Sequence, residues 1–126
     1  MSIVDTNDIA EYQEKEKTED DLTSDVMDNL TEWSSLITEL SHKEHDLLEL
    51  KDIIFDKEQW IVSKTDFKTI YGKNNAEVRK LHLQKHMNGE YTNRRNLELS
   101  IDYLKRRISF LKQLIHTKTI IMECKE

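Results

Sequence analysis

Apolar residues fall along this chain at helical intervals over three separate stretches. Val26, Leu30, Trp33, Ile37 and Leu40 alternate four- and three-residue steps, the spacing of a heptad seam. The seam stutters through Ser41–Asp46, where Glu44 stands at the expected position, and resumes with Leu47, Leu50, Ile54 and Ile61. Leu48, Ile53, Phe55 and Trp60 widen the later face, as though more than one neighbour packs there. Trp33 and Trp60 read as core residues. These positions predict a first helix over residues 24–62, capped by Thr23, Ser24 or Asp25.

Punctuation follows. Thr65 or Asp66 can cap a short helix through Phe67, Ile70 and Tyr71, which Gly72 then ends. Lys73-Asn74-Asn75 supplies a turn and a fresh cap for a helix over 76–88, with Val78, Leu81, Leu83 and Met87 as its apolar positions. Asn88-Gly89 predicts an interhelical corner, since neither flank alternates like a strand. The last helix, over 90–120, has the most regular pattern: Leu97, Ile101, Leu104, Ile108, Leu111 and Ile115, with Met122 continuing the register. Isoleucine at each a position and leucine at each d position suit a parallel two-stranded pairing, so these six residues are the candidate self-association surface. Tyr103 and Phe110 lie off that seam and are placed to face another helix.

Composition supports helices and removes alternatives. The chain has 126 residues with no proline and two glycines, too few for the turns of a barrel or for a glycine-rich phosphate loop. The longest apolar runs, Ile53-Ile54-Phe55 and Trp60-Ile61-Val62, fall far short of the ~20 residues of a membrane span. The first ten residues carry no Lys or Arg, so a signal or transit peptide is not expected. A lone Cys124 fits a reducing compartment, and a cytoplasmic protein is the expectation.

Charge is segregated. Residues 1–28 hold ten acids against Lys15 and Lys17, a net of −8 within an overall −6. The expected organisation is therefore an acidic, disordered tail over 1–22, one helical domain over 23–120, and a frayed terminus over 121–126. The tail reads first as a solubilising acidic segment; it could also mimic nucleic acid or cover a basic surface. A positive stripe lies over residues 79–112, where Arg79, Lys80, Lys85, Arg94, Arg95, Lys105, Arg106, Arg107 and Lys112 face only Glu90, Glu98 and Asp102. Such a stripe can lie against phosphates, an acidic protein or the chain's own head, or be simply a solvated face. His82 and His86 stand four apart, as two metal-binding imidazoles would, but no third ligand is specified and both read as solvated. Neither a catalytic constellation nor a cofactor motif is present, so no enzyme activity, metal or cofactor is expected.

The stretch Thr65-Asp66-Phe67-Lys68, then Tyr71-Gly72-Lys73-Asn74-Asn75-Ala76-Glu77-Val78-Arg79-Lys80, and on to Leu97-Glu98-Leu99-Ser100-Ile101-Asp102-Tyr103-Leu104-Lys105-Arg106-Arg107-Ile108, resembles small helical early accessory proteins of bacteriophages that infect low-GC bacteria. The resemblance spans about residues 65–115. It implies a viral, non-enzymatic role in the host cytoplasm and carries no site residues.

Together these readings predict an all-α chain, an elongated helical hairpin or coiled-coil-like bundle, that pairs as a homodimer. The expected function is binding to another protein through helical surfaces, as an accessory or inhibitory factor. The alternative is a nucleic-acid-binding factor in phage recombination or replication, using the 79–112 stripe.

Overall fold

A computed structural model describes residues 19–125, and every regular element among them is α-helical. Helix α1 is Glu19–Lys64, α2 is Phe67–Tyr71, α3 is Ala76–His86 and α4 is Asn88–Lys125. The first helix starts earlier than the sequence predicts. Residues 19–22, assigned above to the acidic tail, belong to α1, and Leu22 is buried. At the other end α4 continues to Lys125, past the expected end at residue 120. The rest of the expected tail, residues 1–18, lies outside the described residues.

The chain separates into two compact units: one joins the described residues up to Ile37 with those from Arg107 on, and the other comprises Thr38–Arg106. In the first, α1 and α4 pair antiparallel. Glu32 accepts from Nε and Nη2 of Arg107 at 3.1 and 2.9 Å, while Asn29, one turn earlier, accepts from Lys118 at 2.9 Å. Asp25 lies 3.9 Å from the same ammonium. Leu111 is fully buried here, and Ile108 and Ile115 are half-buried beside it. In the second unit Ile54, Phe67, Val78, Met87, Ile101 and Leu104 form the core.

The inward register of α1 differs from the expected one. Leu22, Val26, Asn29, Trp33, Leu36, Leu40, Lys43, Leu47, Leu50 and Ile54 are buried or half-buried in unbroken four-three steps. Leu30 and Ile37, counted in the seam above, sit on its outer flank at 39% and 38% exposure. The stutter at 41–46 therefore disappears: it came from choosing Leu30 and Ile37 over Asn29 and Leu36. Asn29 holds an inward position because Lys118 satisfies its carbonyl oxygen, and Lys43 is half-buried at another. Trp60 is 64% exposed, so it is not a core residue; Trp33 is half-buried. Tyr103 and Phe110 are exposed as well, and no second helix covers them among the described residues. Arg107 lies over the Phe110 ring at 5.3 Å.

The seam residues of α4 do face inward, but toward their own chain. Ile101, Leu104 and Leu111 are buried in a single copy, and Leu97, Ile108 and Ile115 are half-buried. Leu97, Ile108 and Ile115 keep part of their surface exposed alongside this intrachain contact.

Between α1 and α4 the chain turns twice on capped ends. Asp66 caps α2 through the Thr69 amide and hydroxyl at 3.2 and 2.7 Å, and these bonds hold its carboxyl below the usual aspartate range. Gly72 ends α2 in the left-handed conformation, φ 76°, with its N–H on the Lys68 carbonyl. Open space surrounds the position a Cβ would take, so Gly72→Ala is expected to cost only the backbone penalty of about 1–2 kcal/mol. Urea unfolding checks this, and a loss well above that range would show a steric neighbour. Asn75 caps α3 by accepting from the Val78 amide at 2.9 Å. The third break is not at Asn88-Gly89. It falls at Met87, which is buried and leaves helical geometry, while Gly89 lies inside α4 with no positive φ. Burial of the Met87 side chain fixes the corner here, so Gly89 needs no special conformation.

Candidate functional site

Three helices of the second unit surround an open groove of about 1000 Å³. The end of α1 gives Glu58, Gln59 and Val62. Helix α3 gives Ala76, Arg79, Lys80, Leu83 and Gln84, and α4 gives Tyr91, Arg94, Arg95 and Glu98. Four of the nine residues of the sequence stripe thus meet here, two from each of two helices. The walls combine apolar groups, Val62 and Leu83, with Tyr91 and four cations.

Electrostatics favour an anion. Among the described residues no carboxylate forms an ion pair with Arg79, Lys80 or Arg95. Arg94 lies over the Tyr91 ring at 5.1 Å, which orients its guanidinium along the wall. Of the two carboxylates, Glu58 is the one whose charge bears on the Tyr91 hydroxyl. Burial, and then the Glu58 charge, push that hydroxyl above its ordinary range, so it remains a neutral donor.

The other five stripe residues do not line this groove. Lys85, Lys105 and Arg106 are exposed elsewhere on α3 and α4. Arg107 is committed to Glu32, and Lys112 is exposed in the first unit. The groove thus gathers four of the nine stripe residues.

A second cluster holds α3 in place and corrects the reading of His82. That side chain is 8% exposed, not solvated, and stands where an apolar core residue was expected; Leu81 points outward instead. The Thr65 hydroxyl donates to the Ile61 carbonyl at 2.6 Å, so it can only accept from His82 Nε2–H, 3.3 Å away. Nδ1 is then the bare nitrogen and accepts from the Tyr71 hydroxyl at 2.6 Å. Phe67 and Tyr71 pack against the imidazole edge-on at 5.3 and 5.5 Å. Both nitrogens being used, the His82–His86 pair offers no paired lone electrons to a metal. Among the described residues no group of three or more metal-ligating side chains assembles.

Burial first, and then the charges of His86 and Lys85, hold His82 below its ordinary value near 6.5. As pH falls the unfolded chain takes up this proton before the folded one does. The stability that neutral His82 contributes is thus complete above about 6.5 and is lost as pH falls toward the folded value. Wild type should lose more stability than His82→Gln between about pH 7.5 and about pH 5.5. Urea midpoints measured across that window check the expectation, and parallel curves would remove the role assigned to His82.

An apolar pocket of about 360 Å³ lies near Trp60, Ile61 and Met87. Lys57 and Glu90 close its rim with a 3.0 Å ion pair, and that bond leads the effects holding the Glu90 carboxyl below its usual range. No helix among the described residues is long and apolar enough to cross a membrane. No protein-family model matches the chain, and no curated protein or solved structure matches it significantly.

Neither the groove nor the His82 network was legible as such in the sequence. Lone spacing signals existed: Arg79-Lys80 and Arg94-Arg95 are adjacent pairs, each presenting two cations to one wall. What no local pattern supplies is the corner at Met87 that turns the two walls toward each other.

Proposed function

We propose that this protein is a non-enzymatic binding factor, of the phage accessory type, that grips an acidic segment of a partner protein in the groove. The observation that carries this reading is the convergence of Arg79 and Lys80 on one wall with Arg94 and Arg95 on the other, over apolar groups. Cations set beside apolar surface suit a peptide that brings both carboxylates and hydrophobic side chains. A polyphosphate, charged along its whole length, would run past Glu58 and Glu98 in the lining, whereas a peptide can set its carboxylates beside the four cations alone. The cytoplasm of an infected cell is the compartment this role requires.

A second reading, a nucleic-acid-binding accessory factor, draws on the Arg94–Tyr91 stack, which resembles a platform for an unpaired base. Salt separates the two. Nucleic-acid affinity resting on several phosphate contacts falls steeply with salt, whereas a partly apolar protein contact falls less. Tagged wild type and the Arg94→Glu, Arg95→Glu double variant should be purified from expressing host cells and compared by mass spectrometry. The protein-binding reading expects a partner with an acidic segment that the wild type retains and the variant loses. Recovery of nucleic acid alone, with a steep salt slope, would replace it with the second reading.

A further inference from the structure

The groove walls have a period. On α3 the lining positions are 76, 79, 80, 83 and 84, and on α4 they are 91, 94, 95 and 98. Steps of three and four are those by which a helix presents one face to a neighbouring helix. The end of α1 adds 58, 59 and 62, again one face. Three helices therefore turn toward a common axis that no described helix of the chain occupies.

We propose that the groove is a slot for an amphipathic acidic helix of the partner, which completes a four-helix arrangement over Val62, Leu83 and Tyr91. This rests on the protein-binding reading above and specifies the partner's form. Length agrees: the α3 wall, from position 76 to 84, rises about 12 Å, which is about two turns of helix.

Backbone chemistry also selects a helix. An extended peptide gains affinity by adding to a sheet edge, where main-chain donors and acceptors are free. Here every wall is a helix whose interior amides and carbonyls are spent within it, so an extended ligand would find no sheet edge and few main-chain partners. A helix brings its own hydrogen bonds already made. Charge then fixes its pattern. Cations stand on both walls, Arg79 and Lys80 across from Arg94 and Arg95, so the ligand needs glutamates on both flanks of its apolar stripe. Val62, Leu83 and the Tyr91 ring give the floor apolar surface for that stripe.

The probe is a synthetic peptide of about sixteen residues, with leucine at a and d positions, glutamate at e and g, and a side-chain staple holding it helical. It is compared by fluorescence anisotropy with a form broken by two prolines and with polyglutamate, using the full chain. The stapled peptide should bind at least about tenfold more tightly than the broken one, which pays the ordering cost or cannot form the face. Arg94→Glu with Arg95→Glu, and separately Arg79→Glu with Lys80→Glu, should each weaken it by roughly ten- to a hundredfold. Lys105→Glu with Arg106→Glu makes the same change in net charge outside the groove and should leave affinity nearly unchanged. Circular dichroism confirms that the variants fold.

Equal binding of the stapled and broken peptides would overturn the helical slot while leaving the protein-binding reading standing. Peptide binding indifferent to both groove variants would place the site elsewhere and overturn the slot as well. Failure of every acidic peptide, with tight and steeply salt-dependent binding of an oligonucleotide, would overturn both.

Discussion

Leu111→Asp is expected to leave most molecules unfolded, and to do so without any dependence on protein concentration. Leu111 has no exposed surface in a single copy. Truncating such a leucine to alanine costs about 2–5 kcal/mol, from lost transfer energy and the cavity left behind. A carboxylate placed there adds the cost of an unpaired buried charge, several kcal/mol more unless it takes up a proton. Small domains hold only about 5–15 kcal/mol in total. The milder Leu111→Ala should remain folded and lower the urea midpoint by an amount equivalent to about 3 kcal/mol. Its midpoint should be the same at micromolar and at hundredfold higher concentration, because the seam is filled by α1 of the same chain. A dimer sharing that seam would instead gain stability with concentration. Sedimentation equilibrium on the wild type completes the test, and a midpoint that climbs with concentration would return Leu97–Ile115 to an interface between copies.

That same seam shows what the sequence carries and what it does not. The four-three pattern of α4 is strong enough to identify its inward face from residues alone, because six large aliphatic side chains agree on one direction. It does not say whose surface meets that face. In α1 two registers compete: Leu30 and Ile37 belong to one, Leu36 and Asn29 to the other. Hydrophobicity favours the first. The fold uses the second, because Lys118 satisfies Asn29 and an unbroken stripe then reaches Ile54. Caps were legible for a different reason. Asp66, Gly72 and Asn75 act within three or four residues of themselves, so their roles depend little on the rest of the chain. The groove is the opposite case. Its lining comes from positions 58 to 98, and its existence depends on a corner whose determinant, the burial of Met87, is invisible locally.

His82 belongs with the groove in this respect. Its partners Thr65, Phe67 and Tyr71 are up to 17 residues away, and only the capped turns between α1 and α3 bring them around one ring. A histidine at an inward helical position, with a tyrosine and a threonine flanking two nearby caps, is a weak signal that could have been noted. It could not have been told from a solvated side chain without the turns.

Phe67→Ala is expected to weaken binding in the groove without touching any residue that lines it. Phe67 is buried on α2, its ring 5.3 Å from His82 and 6.2 Å from Tyr71. Removing it costs about 3–5 kcal/mol, and the cavity opens on the edge of the imidazole. Water entering there relieves the burial that is the foremost cause of the lowered His82 ionisation, so its pKa should rise toward 6.5. The proton-linked loss of stability on acidification should shrink accordingly. The network from Tyr71 through His82 to Thr65 ties α3 to the end of α1, and α3 carries Arg79 and Lys80 into the groove. Loosening it lets that wall move, so acidic-peptide affinity should fall roughly tenfold even where the variant remains folded. Phe67→Leu keeps most of the volume and should cost less than about 1.5 kcal/mol, with affinity nearly preserved. Proton NMR titration of the His82 ring, amide exchange in α3 and peptide anisotropy read the three effects separately. If Phe67→Ala exposes His82 and frees the α3 amides while peptide affinity stays at the wild-type value, then the wall bearing Arg79 and Lys80 is held by something other than the His82 network.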